Sequence, residues 1–189
     1  MLNVAILCSK RAPGLPVLRN LVNVACVLDR QLPRGCDRRS FDIKTAVMLA
    51  PFNVDAVLLL GYIYILTEPL LAAFPDRILN VHDSDLTLRN DDGSPRYPGL
   101  HATRDAIVAG ERETRSSVHI VTPELDAGPV VARSNAFPVA PFVRVAATRG
   151  EDDIVRAYAY AQREWMMRST WGALAFEGLR RILPERAAA

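Results

Sequence analysis

Three side chains in this sequence have the types and the setting for carbonyl chemistry. Asn80 and His82 stand one apolar residue apart at the end of the run RILNVH. If that run is a strand, period-two alternation puts the amide and the imidazole on one face and Val81 on the other. A neutral amide beside an imidazole can orient a carbonyl and stabilise negative charge developing on its oxygen. Asp126, in the turn sequence LDAGP, supplies a carboxylate. Were it to reach the His82 ring, it would stabilise the imidazolium and help move a proton released by an attacking nucleophile. Each element alone also has an ordinary structural reading. Asn-x-His can be satisfied by backbone groups, and Asp ahead of Gly is common turn chemistry.

The hydrophobic pattern predicts the frame that must hold these residues. Residues 2–8 (LNVAILC) read as a buried strand, followed by the Pro/Gly-marked segment 9–16. Residues 17–30 carry Leu18, Leu21, Val22, Ala25 and Leu28 at the spacing of one helix face. The polar stretch 32–40 precedes a second short helix over 41–51. Residues 55–61 (DAVLLLG) form another buried strand. Thr67 as N-cap and Pro69 in the first turn open a helix over 70–74. Residues 77–82 make the strand that ends in Asn80 and His82. A long polar loop leads to a helix over 102–109, stopped by Gly110. Strands over 117–122 and 129–134 flank the turn 123–128 that carries Asp126. Residues 151–182 are mostly helical, opened by three acids that complement the helix N-terminus. Alternating strands and helices predict a single α/β domain over 1–189 with a mostly parallel sheet flanked by helices. Ligands bind such sheets at the carboxyl ends of the strands, where Asn80 and His82 lie.

Composition narrows the partners. Half of the 189 residues are hydrophobic and 23% are charged, the profile of a soluble globular protein. A net charge of +2 makes no electrostatic case for nucleic acid. Arg34, Arg38 and Arg39 cluster within seven residues, which reads as a solvated loop or as a polyanion site. Cys8, Cys26 and Cys36 form no metal-type pair and suggest reduced thiols in a cytoplasmic protein. The opening residues do not have signal-peptide form, and no apolar run reaches the ~20 residues that span a bilayer. Neither a membrane nor a metal is expected.

Taken in order, DAVLLLGYIYIL, RILNVH-x-S, YPGLHATRDAI, SSVHIVTPELDAGPV and EDDI before a helix closely resemble the glycinamide ribonucleotide formyltransferases. The wider folate-dependent formyltransferase and deformylase group is similar more loosely. The resemblance covers about residues 55–154. It implies a Rossmann-like formyltransferase fold and a catalytic Asn80, His82 and Asp126. It implies transfer of a formyl group from 10-formyltetrahydrofolate to a primary amine, glycinamide ribonucleotide or, given an altered N-terminal half, another amine such as an amino sugar or an aminoacyl precursor. It further implies a folate pocket made by Tyr62, Ile63, Tyr64, Ile65 and Leu66 on one wall and Val121, Glu124 and Leu125 on the other. An apolar, flat lining suits a pterin ring. His119 matches a further histidine near the family's active site. A formyltetrahydrofolate hydrolase with the same triad, and a non-catalytic binding relative, are the alternatives.

Three departures concern the acceptor side. The family's glycine-rich G-N-G-S-N-type loop after the first strand, which offers N–H groups to a phosphate, is replaced here by Ser9-Lys10-Arg11-Ala12-Pro13-Gly14. Lys10 and Arg11 are left as the anion-binding candidates. The N-terminal half is short, as if a strand–helix unit were missing. The family's H-P-S-L-L-P-type run becomes His82-Asp83-Ser84-Asp85-Leu86, followed by a polar insertion over 89–96. Asp83 and Ser84 are thereby candidates for reading the amine, with Asp85 nearby. The insertion reads equally as part of an amine pocket or as a solvated hairpin. Apolar bulk in the last helix (Trp165, Met166, Trp171, Leu174, Phe176) fits core packing in a monomer or the interface of a homodimer.

Overall fold

The computed structural model describes residues 1–9 and 11–183. Its centre is a six-stranded sheet of β1 (Asn3–Cys8), β2 (Asn23–Asp29), β3 (Ala56–Leu59), β4 (Ile78–His82), β6 (Ser117–Ile120) and β7 (Val130–Arg133). The spatial order is β2-β1-β3-β4-β6-β7. The first four strands run parallel, while β6 and β7 are antiparallel additions on the β4 side. Two short strands, β5 (Glu113–Thr114) and β8 (Phe137–Pro138), pair separately. The helices are α1 (Leu15–Leu18), α2 (Arg38–Leu49), α3 (Glu68–Ala73), α4 (Ala102–Val108), α5 (Pro141–Thr148) and α6 (Asp152–Ile182).

Strand alternation splits the core into two layers. Val4, Ile6, Leu58, Leu79, Val81 and Val118 face α6, where Trp171, Ala175 and Leu179 are buried against them. Ala5, Leu7, Val57, Leu59 and Ile78 face the other way, onto Leu49 of α2 and Leu70 of α3. Each fully buried Leu, Ile or Val contributes about 1.5–3 kcal/mol of transfer free energy, so both sheet faces are strongly committed. The side chains of β4 therefore fall into register as expected: Leu79 and Val81 toward α6, Asn80 and His82 on the opposite face.

α6 lies very close to the β1–α1 connection. A Cβ on Gly172 would stand 2.5 Å from the Gly14 carbonyl oxygen and 2.7 Å from Val17 Cβ. Only a residue without a side chain fits there, although glycine costs ~1 kcal/mol relative to alanine inside a helix. Met166, Trp171 and Leu174 of the same helix enter the core, while Trp165 is half exposed and stacks edge-on against Phe137 at 4.8 Å.

Several elements differ from the sequence reading. The expected helix over 17–30 is a four-residue helix, a turn and the strand β2. The spacing of Leu18, Leu21, Val22, Ala25 and Leu28 fits a helix, but Val24, Cys26 and Val27 also suit an edge strand, and pairing with β1 decides between them. Residues 3–59 thus run β1, α1, β2, α2 and β3, with α1 only four residues long. α2 begins earlier than expected because Asp37 caps it, accepting from the Ser40 N–H at 2.8 Å. Thr67 does precede α3, yet its hydroxyl donates to Asp42 at 2.8 Å rather than capping the helix. α5, β5 and β8 have no counterpart in the sequence reading.

Candidate active site

The carboxyl ends of β3 and β4 open into a cavity of about 440 Å³. Asn80 and His82 come to it from β4, and His119 stands directly opposite Asn80 on β6. The register slips between Val118 and His119, where β6 pairs with β7, and a bulge of this kind re-aims a side chain. Asp126 arrives from the β6–β7 turn. Its φ of 51° lies in the left-handed region, which Asp tolerates better than most residues. Two residues later a Cβ on Gly128 would stand 1.9 Å from the Ile120 carbonyl oxygen, so the turn closes this tightly only around glycine.

The four polar side chains form one connected group. Asn80 Nδ2 is 3.1 Å from His119 Nε2, and His119 Nδ1 is 3.1 Å from the Ile120 carbonyl oxygen. A carbonyl only accepts, so Nδ1 carries the hydrogen and, in the neutral ring, Nε2 accepts from Asn80. A protonated ring makes the same nitrogen a donor toward Asp126 Oδ1, 3.6 Å away. Asp126 Oδ2 accepts from the Gly99 N–H at 2.7 Å and lies 3.7 Å from His82 Nδ1. Burial alone would push the Asp126 carboxyl up. The His119 contact, the charge of His82 and the Gly99 N–H outweigh it and hold the group down at about 2. His82 Nε2 is buried with no hydrogen-bond partner among the described residues. The ring therefore presents Nδ1 to the Asp126 carboxylate and keeps Nε2 for a ligand. An orphaned imidazole nitrogen beside an amide N–H donor is an arrangement that can grip a carbonyl oxygen as it gains charge.

The apolar end of the cavity is made by Tyr62, Ile63, Tyr64, Ile65 and Leu66 after β3 and by Val121, Glu124 and Leu125 after β6. The 62–66 segment is fastened from behind. Arg38 donates to the Ile65 carbonyl and stacks over Tyr64 at 4.9 Å, and Asp42 accepts from the Thr67 N–H at 2.7 Å. Arg39 pairs with Glu68. Arg38 of the basic cluster thus clamps this segment, which its sequence setting did not disclose, while the Arg39 pair is exposed on the surface.

The acceptor-side candidates separate. Asp83 lines the cavity and pairs with Arg163 of α6. Ser84 is buried outside it, donating to the Tyr97 carbonyl at 2.8 Å. Asp85 faces Arg133 at 2.9 Å. Arg11 is exposed, pairs with Glu164 and lines a separate depression of about 180 Å³ with Arg168. Lys10 lies outside the described residues. The 89–96 insertion is a hairpin, with Arg89 bridged to Pro95. It does not line the cavity, but Arg89 reaches the Ala127 carbonyl beside Asp126. Gly99, Leu100 and His101 also line the cavity, as does Trp171, which the sequence suggested only for packing. Arg163 lines it as well. The first three belong to the motif YPGLHATRDAI; Arg163 and Trp171 carry no local signal.

The fold and the sequence both have known relatives. Phosphoribosylglycinamide formyltransferase of Escherichia coli K12 is 36% identical over 117 residues, covering 62% of this chain and 48% of that protein. The chain thus spans about half the length of that relative. Glycinamide ribonucleotide transformylase 1 of Symbiobacterium toebii superposes with a TM-score of 0.66 at 27% identity, over 88% of this chain and 86% of the other. A formyltetrahydrofolate deformylase of Pseudomonas syringae shares the fold, with a TM-score of 0.72 at 20% identity over 98% of this chain and 62% of the other. The formyl transferase family pattern matches residues 9–169. That span contains the β4 strand end, the Asp126 turn, the apolar wall and the part of α6 behind them, and the chain belongs to the formyl transferase family.

Proposed function

We propose that this protein transfers a formyl group from 10-formyltetrahydrofolate to a primary amine, with glycinamide ribonucleotide as the first acceptor to test. The observation that carries the reading is the convergence of Asn80, His82 and Asp126 on one cavity whose other end is an apolar wall. The dimensions and lining suit a flat, partly apolar donor, held between residues 62–66 and the Val121, Glu124 and Leu125 wall. Family membership and the names of the relatives support the same reaction.

The chain's own residues divide the work. Asn80 has a second N–H beyond the one aimed at His119, and the His82 ring, when protonated, offers an Nε2–H into the cavity. Together they stabilise the oxyanion that forms when the amine attacks the formyl carbon. Asp126, held as a carboxylate by two histidines and a backbone N–H, keeps the His82 ring oriented and stabilises positive charge on it as protons move.

Incubating the protein with 10-formyltetrahydrofolate and glycinamide ribonucleotide, with product mass as readout, tests the proposal. A formylated amine is expected, and His82→Ala should abolish it without unfolding the chain. Formate without formylated amine would mean a hydrolase. Tetrahydrofolate binding without turnover would mean a binding protein.

A further inference from the structure

One buried carboxylate in the cavity is only half satisfied. Asp83 follows His82 and, by strand alternation, turns toward α6, where Arg163 clamps its Oδ2. Its Oδ1 is buried and has no hydrogen-bond partner among the described residues. Both Asp83 and Arg163 line the cavity that holds Asn80 and His82. An unpaired buried acceptor is costly, so an oxygen left open beside the reacting groups calls for a donor.

Resting on the formyltransferase reading above, we infer that Asp83 receives the acceptor. Its free oxygen accepts an N–H of the incoming amine and takes the proton that an ammonium group must lose before it can attack. Asp126 is poorly suited to that step. Its Oδ2 takes the Gly99 N–H and faces His82, its Oδ1 faces His119, and a carboxyl held at about 2 is a weak base. Asp83 differs in kind: burial pushes its carboxyl up, against the opposing pull of Arg163 and His82, with Glu164 adding to the rise.

The protons balance. An acceptor entering as R–NH3⁺ gives one proton to Asp83, and the freed lone pair forms the new C–N bond to the formyl carbon. As the bond from that carbon to the donor nitrogen breaks, a second proton from the amine goes to the donor nitrogen. The acceptor leaves as a formamide that keeps the third hydrogen, and Asp83 returns its proton to solvent. The class of acceptor implied is a primary amine that is protonated at neutral pH.

The test compares the full-length chain with Asp83→Asn, using 10-formyltetrahydrofolate and two acceptors, glycinamide ribonucleotide and hydroxylamine. Hydroxylamine is already unprotonated at neutral pH. Asp83→Asn should keep the melting temperature and its affinity for tetrahydrofolate, and lose ~100-fold or more in kcat/KM with glycinamide ribonucleotide. The loss should shrink at least tenfold with hydroxylamine. The rate with glycinamide ribonucleotide should also rise more steeply with pH in the variant, as solvent takes over the deprotonation. Equal losses with both amines, or no loss, would overturn the role of Asp83 while leaving the formyltransferase reading intact. A wild-type chain that formylates neither amine would remove that reading, and this inference with it.

Discussion

Asp126→Asn isolates the charge at the centre of the site. Asparagine keeps the size of the side chain, tolerates the left-handed backbone at φ 51°, and can still accept from the Gly99 N–H. What it removes is the negative charge beside His82 and His119. The carboxyl sits at about 2 against an ordinary 3.8, and each unit is worth about 1.4 kcal/mol. The charged form therefore contributes about 2 kcal/mol to stability at neutral pH. Asp126 is only 8% exposed, so solvent screening removes little of this. Because the folded value lies below the unfolded one, the contribution is complete above about pH 5 and is lost as pH falls toward 2. It stands at roughly half near pH 3. Urea denaturation followed by tryptophan fluorescence, with Trp171 buried and Trp165 half exposed, measures it at pH 7, 4 and 3. Asp126→Asn should be about 2 kcal/mol less stable at pH 7, and the gap should narrow by about half at pH 3. A gap independent of pH, or a variant as stable as the parent at pH 7, would refute the electrostatic account. On the proposed mechanism the same variant loses ~10²–10⁴-fold in kcat.

Two further outcomes follow from packing. Gly172→Ala should destabilise the fold by about 1–3 kcal/mol in the same denaturation assay, because the new Cβ meets the Gly14 carbonyl at 2.5 Å. Stabilisation, as helix propensity alone predicts, would contradict the close approach of α6. Arg38→Ala removes the clamp on Ile65 and the stacking on Tyr64. It should weaken tetrahydrofolate binding about tenfold, by fluorescence titration, with kcat nearly unchanged. Unchanged affinity would show that residues 62–66 hold their shape without Arg38.

What the chain discloses locally and what it hides follow different physics. Period-two alternation is a property of the strand itself, so RILNVH is enough to put Asn80 and His82 on one face, opposite Val81. Turn chemistry is equally local, and the five residues LDAGP mark the Asp126 turn unaided. Continuous apolar runs disclose the central strands, and the folate-wall candidates after β3 and β6 all line the cavity. Residues 23–29 cannot be read the same way. Their spacing satisfies a helix and a strand equally, and only β1, with a free edge to pair, selects the strand. The same limit governs the site. The meeting of His82 with Asp126 spans 44 positions, that of Arg163 with Asp83 spans 80, and Arg38 clamps Ile65 across 27. No spacing rule reaches across such gaps, because the contacts are set by how β6 pairs with β4 and how α6 and α2 pack on opposite faces of the sheet. The linear order of residues dictates the chemical types and the local face of the reactive groups. Which carboxylate is neutralised, which oxygen stays free and which arginine becomes a clamp are settled by packing, since burial and partner distance exist only once the layers have closed.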